Sequence, residues 1–486
     1  MSELSLTSPT PKGLRARDTV AMCTPLLNVV FVVAGSTAGA LGIWGAAVVC
    51  IVLAGVSMLQ NYLFAEMAAM FPGKPGGVAL FAAEAWKQFS PLLASVAAFG
   101  YWCGWGLSLS LASLQIGQII TAQWFRTAVD QSFNLGVASI GLPQILAAAV
   151  MTVAVGANLL GLNATVNLNK VVAAAMVVVL AGLIVLPMFS ADWSTASFSF
   201  NLLGEGNGVV SLLVWMYVGA WSIYGSELCA TFAPEYRRPV RDTKRALKTM
   251  AMIYILVYAF VPVATAGAIG EQGVIADPVN FGVNFYSQML GGPAGAVVAV
   301  ILVIATLAAL LSSSADASHA LKGLAQEKLT IIQLARTNKR GAPSGALIFT
   351  LVVNLVVLFF VGNIVAIIIA ANLGYMVSVT LATAGFLIMR KTHADIPRPI
   401  RLGPYWIPVA AAVTVFNGTI LVAGALNPGL AAGGQGTEIL IALVLLLLGA
   451  LFYWVQRRFQ TTKVSNSKKP PARIVSDGPA SEKPNK

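Results

Sequence analysis

Glu227 stands alone in a stretch otherwise fit for lipid. No charge occurs from Gly208 to Gly225, and six uncharged residues separate Glu227 from Pro234. An ionised group at a bilayer centre costs about 2.5–3.5 kcal/mol even on lenient insertion scales, so its presence calls for a use. Three uses fit. The carboxylate can attract the ammonium of a substrate, it can exchange a proton, or a neutral carboxyl can hold irregular backbone of a neighbouring helix together. Trp221, Ile223, Tyr224, Gly225 and Ser226 share its position, and the rings of Trp221 and Tyr224 can stack on a cation. Asp316 and His319 lie three apart and so share a helix face, as a gate contact, a proton relay or a solvated helix end. Cys23, Cys50, Cys103 and Cys229 sit in apolar segments without CxxC spacing and read as small buried hydrophobes. No metal site and no cofactor is expected. The chain has no GxxxxGK[ST] loop, no HExxH and only two histidines, which argues against an enzyme and a self-contained ATP-driven pump.

The elements that must position these residues are membrane helices. Of 486 residues, 57% are hydrophobic and 10% charged, against about 25% charged in soluble domains. Uncharged runs recur along the whole chain, each long enough for at least one helix of ~20 residues. The runs and their breakers predict an all-α polytopic protein with about twelve spans: 18–36, 40–70, 90–124, 142–161, 167–189, 208–233, 248–270, 293–321, 344–361, 364–389, 405–426 and 437–456. A polar arm (1–17) precedes them, and a basic tail (463–486), rich in Lys, Pro and Ser, is expected to be disordered. With this layout 29 of the 30 basic residues fall on one side, leaving only Arg126 opposite. Asp130, Asp192, Glu205, Glu271, Asp277 and Glu438 fall in the opposite loops. That asymmetry predicts both termini in the cytoplasm and an inner-membrane location. The net charge of +12 then faces anionic lipid, and no nucleic-acid partner is needed.

Breakers fall at matching places in the first and sixth spans. Pro25 interrupts an apolar run with Asn28 close behind, and Gly225-Ser226 immediately precede Glu227. Irregular backbone at membrane depth is tolerated only where it packs in protein or lines a cavity. Paired interruptions five spans apart point to a transporter binding site at their meeting point. Gly35-xxx-Gly39 and Gly100-xxx-Gly104 read as close helix-packing positions. Tyr101 and Trp102 read as packing residues, and Glu66 and Glu84 as local partners of Lys74 and Lys87. The cluster Arg237, Arg238, Arg241, Lys244 and Arg245 reads as topology and lipid contact, with Glu235 or Asp242 as local partners.

Four separated stretches resemble the amino acid–polyamine–organocation (APC) transporter superfamily. They are "FAEMAAMFPGKPGGVALFAAEAW" (64–86), "YGSELCATFAPEYRRPVRDTKRAL" (224–247), "LLSSSADASHALKGLAQEKL" with "NKRGAPSGAL" (310–347), and "FLIMRKTHADIPRPIRLGPYWIPV" (386–409), in the superfamily's order. The resemblance implies a LeuT-like fold. Two inverted five-helix repeats (18–189 and 208–389) are followed by two extra helices (405–456), with helices 1 and 6 unwound around the substrate. It implies a substrate site at Asn28, Val29 and Val30 and their neighbours to Val32 in helix 1, and at Ile223 to Glu227 in helix 6. The chain also departs from the superfamily pattern. The Gly-Ser-Gly-Ile-Phe-like signature of helix 1 is replaced by Asn28-Val29-Val30-Phe31-Val32, so Asn28 supplies a side-chain donor instead of bare amides. A lysine found in helix 5 of several proton-coupled members aligns with Met176, and the usual arginine of helix 8 with His319. The spacing in "GSELCATFAPE" is closest to the glutamate/γ-aminobutyrate antiporter branch.

These readings predict a secondary transporter that moves an amino acid or a derived amine by alternating access. It would be driven by protons or by substrate exchange, with no nucleic-acid partner and with membrane lipid around it. A polyamine or organocation carrier and a non-transporting amino-acid sensor are the alternatives.

Overall fold

The computed structural model describes residues 13–74, 76–128, 131–134, 139–160, 166–201, 208–431 and 436–467. Lys12, Asp130, Glu205 and the tail from 468 lie outside these. Among the described residues the regular structure is α-helical apart from 3-10 turns and one short antiparallel pair, Ser132–Asn134 with Ser139–Gly141. Eleven stretches among the described residues are long and apolar enough to cross a membrane. The first covers 55 residues, enough to cross twice at about 20 residues per crossing, which accommodates the twelve expected spans. The protein is a polytopic membrane protein.

The first span begins with α1 (Ala16–Cys23), tightens into a 3-10 turn at Thr24–Val29, and continues as α2 (Val30–Met70). The expected separation between 36 and 40 is absent. The chain instead bends within α2 at Gly42, whose φ of 75° is accessible chiefly to glycine. A Cβ at Gly42 would lie 2.3 Å from the carbonyl oxygen of Ser199. The bend frees backbone groups, and the 199–201 segment takes them up: Trp44 N donates to Ser199 O (3.2 Å), and Asn201 N donates to Leu41 O (2.9 Å).

α3 (Gly77–Trp86) follows, then α4 (Pro91–Gly106), capped by Ser90, whose hydroxyl accepts from Leu93 N at 3.2 Å. The single helix expected over 90–124 is divided, with α5 (Ser108–Trp124) starting beyond Leu107. Asn354 satisfies this break. Its amide donates to Gly106 O (2.9 Å) while its carbonyl accepts from Ser110 N (2.9 Å). No proline or charge marks the position, because the compensating side chain comes from a distant helix. α6 (Leu142–Leu159), α7 (Val166–Val185) and α8 (Gly208–Ile223) come next. α8 passes into a 3-10 turn, Tyr224–Ala230, the second of the two that interrupt the first and sixth spans.

α9 (Pro239–Ile275) starts well before the expected residue 248, because Pro239 suits a first turn and Asp242 accepts from Arg238 N at 3.1 Å. α9 also bends at a glycine, Gly270 (φ 76°). The adjacent Glu271 ties both bends together. Its carboxylate accepts from Ile43 N (3.3 Å), Ser199 N (2.6 Å) and Ser199 Oγ (2.5 Å). α10 (Phe281–Leu290), absent from the expected layout, precedes α11 (Gly292–Gln326). α12 (Ser344–Val361) turns into α13 (Ile364–Thr392) through Gly362 at φ 65° and Asn363, whose side chain caps Val365 N (2.8 Å) and Ala366 N (3.2 Å). α14 (Trp406–Leu426) and α15 (Thr437–Ser467) complete the chain, and α15 extends into the region expected to be disordered from 463.

The closest backbone approach relevant to the site joins α4 to α13. A Cβ at Gly100 would lie 2.6 Å from Gly374 O, and one at Gly374 would lie 2.8 Å from Gly100 O. A Cβ at Gly104 would lie 2.7 Å from the Cβ of Tyr375. The packing reading therefore holds for Gly100 and Gly104, and for Gly35, where a Cβ would lie 2.4 Å from the carbonyl oxygen of Pro278. Gly39 has only Ile275 near, at 3.9 Å. Gly100→Val is expected to separate α4 from α13 at an overpacking cost of about 1–3 kcal/mol. A lowered unfolding temperature of the purified protein would show it, while Gly39→Ala should leave that temperature unchanged.

Candidate functional site

The 3-10 turns at Thr24–Val29 and Tyr224–Ala230 fall where the sequence places breakers, at Pro25 and at Gly225. Their form differs from open, unwound backbone. Val30 N donates to the carbonyls of Leu27 and Asn28, so this amide of the expected substrate site is already used within the turn. Without glycine in Asn28–Val32, side chains favour a wound chain over a bare-amide cradle. Asn28 is fully buried. Its amide donates to Thr306 Oγ1 on α11 (2.5 Å), and its carbonyl accepts from Gln115 Nε2 on α5 (3.3 Å). Val29 and Val30 are buried in the apolar core.

Glu227 lies in the second turn, 1% exposed, and three neutral donors converge on it. Tyr101 Oη sits 3.1 and 3.2 Å from its two carboxylate oxygens, Tyr375 Oη 3.1 Å and Trp105 Nε1 3.3 Å. The rings stand against one another: Tyr101–Tyr375 at 6.0 Å, Trp105–Tyr375 at 6.2 Å and Trp105–Trp221 at 6.0 Å between centroids. α4 presents Tyr101 and Trp105 four residues apart on one face, and its contact with α13 at Gly100/Gly374 brings Tyr375 alongside. Gly225 leaves space for the same group, since a Cβ there would lie 3.1 Å from Tyr254 Oη and 3.4 Å from the Trp105 ring. Among the described residues Glu227 makes no ion pair.

The remaining expected residues separate into two groups. Trp221 joins the ring cluster and donates to Gly104 O (3.0 Å). Tyr224 turns to Asn417 Oδ1 (3.0 Å), while Ser226 meets Ser57 Oγ (3.0 Å) and Asn61 Nδ2 (2.8 Å), and Ile223 is buried apolar core. Asp316 is half-buried and forms no hydrogen bond or ion pair among the described residues. His319 is exposed, its Nδ1 2.8 Å from Ala315 O of its own helix, and no hydrogen bond joins it to Asp316 among the described residues. Tyr101, read as packing, belongs to the site. Trp102 does pack, between Phe99 and Phe349. Trp105 and Tyr375 were missed, since aromatic residues inside apolar helices give no sequence signal of what they face.

Local pairing holds for Glu84, which binds Lys74 (2.7 Å) and Lys87 (2.5 Å). It fails for Glu66. This residue, 0% exposed, binds Arg390 in the last turn of α13 and Arg398 in the α13–α14 connection, both at 2.6 Å. Lys170 pairs with Asp18 (2.8 Å), and Met176 is buried. The cysteines are free and buried, yet two of them meet: Cys23 Sγ at the end of α1 lies 3.7 Å from Cys229 Sγ in the second turn. A disulfide needs about 2.05 Å between the sulfurs, within reach of a small shift of either turn. Diamide, which accepts two electrons and two protons, is therefore expected to remove two of the four thiols and link residues 23 and 229. Peptide mass spectrometry reads the link, and Cys23→Ser should abolish it.

Residues 19–451 match the amino acid permeases as a family. An arginine/ornithine antiporter of Lactococcus lactis subsp. cremoris is similar at 26% identity over 213 residues, 41% of this chain and 39% of that protein. A D-serine/D-alanine/glycine transporter of Escherichia coli is similar at 25% identity over 223 residues, 43% of this chain and 47% of that protein. The matched stretches thus span less than half of these relatives. The family match is far broader, running from α1 to α15 and taking in every residue that touches Glu227, and on it the chain belongs to the amino acid permease family.

Proposed function

We propose that the protein is a secondary active transporter that exchanges amino acids, or amines derived from them, across the inner membrane, with both termini in the cytoplasm. Glu227 is the anchor for the cationic group of the substrate. The observation that carries this reading is the buried carboxylate at the second 3-10 turn, enclosed by Tyr101, Trp105 and Tyr375 and free of any ion pair among the described residues. Neutral donors hold it without compensating a charge, so its ionised form lacks a partner that a substrate cation or a proton would supply. An ammonium entering here also meets aromatic faces, which suit a cation.

Exchange follows from the same electrostatics. A substrate that neutralises Glu227 lowers the cost of reorienting the carrier, and an incoming substrate restores that state. The similarity to an arginine/ornithine antiporter supports both exchange and a substrate with a cationic group. A proton on Glu227 would serve the same end, so a pH gradient is the competing drive. The observed state is sealed around the acid, as an occluded intermediate of alternating access would be.

Proteoliposome uptake tests this. Labelled arginine, ornithine, D-serine and glycine are offered to vesicles that are empty or preloaded with the same compounds, with and without a pH gradient. Uptake of at least one compound, accelerated by preloading, is expected. Uptake driven only by the pH gradient would replace exchange by proton coupling, and saturable binding with no flux of any compound would overturn the transport reading.

A further inference from the structure

Six arginines from two distant parts of the chain surround one cleft of about 730 Å³. Arg15 and Arg17 come from the arm and the start of α1. Arg237, Arg238, Arg241 and Arg245 come from the segment after the second 3-10 turn and the first turns of α9. The arm is docked by backbone: Gly13 N and Leu14 N donate to Glu235 O (both 3.2 Å), and Arg237 N donates to Leu14 O (2.9 Å). The Arg237 side chain uses Nε to reach Gly13 O (3.0 Å). This docking draws like charges together.

Two of the nearby acids are already engaged, and the Glu235 carboxylate does not line the cleft. Asp242, the one acid lining the cleft, accepts from Arg238 N (3.1 Å). Asp18 is bound by Lys170 (2.8 Å) and by Arg15 N (2.8 Å). None of the six guanidiniums forms an ion pair among the described residues. Topology requires basic residues on this face but does not require six of them around one concavity. Dispersed arginines would satisfy the same rule without mutual repulsion.

We propose that this cleft is a binding site for a phosphate-bearing anion. The guanidinium fork matches phosphate oxygens two at a time, and the volume falls in the range of small-ligand sites. Two sources share that chemistry, the headgroup of an anionic phospholipid and a free polyphosphate. The walls give the site a consequence. Arg15 and Arg17 lead into the first 3-10 turn, and Arg237 follows the second, so a bound anion staples together the segments that flank both turns. Leu14 pairs with Tyr236, and Thr19 Oγ1 meets Tyr236 Oη at 2.6 Å. The anion therefore favours the conformation seen here, closed at this end.

The test uses the full-length protein in neutral detergent and in phosphatidylcholine nanodiscs. Pyrophosphate is titrated in one arm, and the nanodiscs are enriched with phosphatidylglycerol in the other, at fixed ionic strength. A saturable rise in unfolding temperature is expected in one arm, which identifies the source. Arg238→Gln/Arg241→Gln/Arg245→Gln should weaken the response about tenfold or more. The control Arg336→Gln/Lys339→Gln removes charge elsewhere and should leave it intact. The unfolding temperature of each variant without anion shows whether it is folded. No saturable response in either arm, or an equal loss in the control, overturns the site.

Discussion

Glu227→Gln is expected to abolish most transport while leaving the protein folded. A hydrogen bond to a charged partner contributes about 1.5–3 kcal/mol, so substrate Kd should rise by roughly tenfold to a hundredfold. Glutamine keeps the shape and can still accept from Tyr101, Trp105 and Tyr375, which contact the acid at 3.1–3.3 Å. Folding therefore tests separately from binding. Isothermal titration with the best substrate of the uptake screen, beside an unfolding curve, distinguishes the two. Unchanged Kd and unchanged exchange would remove Glu227 from substrate recognition and leave it a structural cap. Tyr375→Phe gives the graded comparison: it deletes one donor while retaining the ring, and a smaller loss is expected.

Glu66→Gln should have the largest effect on stability. The Glu66 carboxylate accepts from Arg398 Nη1 (2.6 Å), Arg390 Nη2 (2.6 Å) and Leu402 N (2.7 Å), so one acid ties the end of α2 to the α13–α14 connection. The side chains of Arg390 and Arg398 are only 15% and 8% exposed. Removing one member of a buried charged group leaves the others uncompensated, at a cost of about 3–5 kcal/mol. A sharp fall in folded yield and in unfolding temperature is the expected readout. Glu84→Gln is the control, since its lysine partners stay about half exposed and such pairs contribute about 0–1 kcal/mol. Equal effects of the two substitutions would show that Glu66 is not the tie proposed.

These residues show what the sequence discloses and what it withholds. Glu227 was legible because a charge inside an uncharged run is conspicuous on energetic grounds alone. Pro25 and Gly225 were legible as sites of helix irregularity, while its 3-10 form depended on the hydrogen bonds of Val30 and on Asn28 reaching α5 and α11. The donors to Glu227 were hidden, because Tyr101, Trp105 and Tyr375 acquire their role only through the Gly100–Gly374 contact between α4 and α13. Glu66 misled for the same reason. Its partners lie more than 300 positions away, whereas Lys74 and Lys87 are near in sequence. His319 and Asp316 show the converse, since helical spacing put them on one face without giving them a common partner.

The carboxylate of Glu271 also bears on motion. Because it grips the amide of Ile43 just past one bend and lies beside the other bend at Gly270, the two long rods cannot flex independently on that side. These hydrogen bonds tie them into one wing, with the 199–201 strap pinned to it. An opening on that side therefore has to lift the whole wing, or first prise the strap away from its rivet.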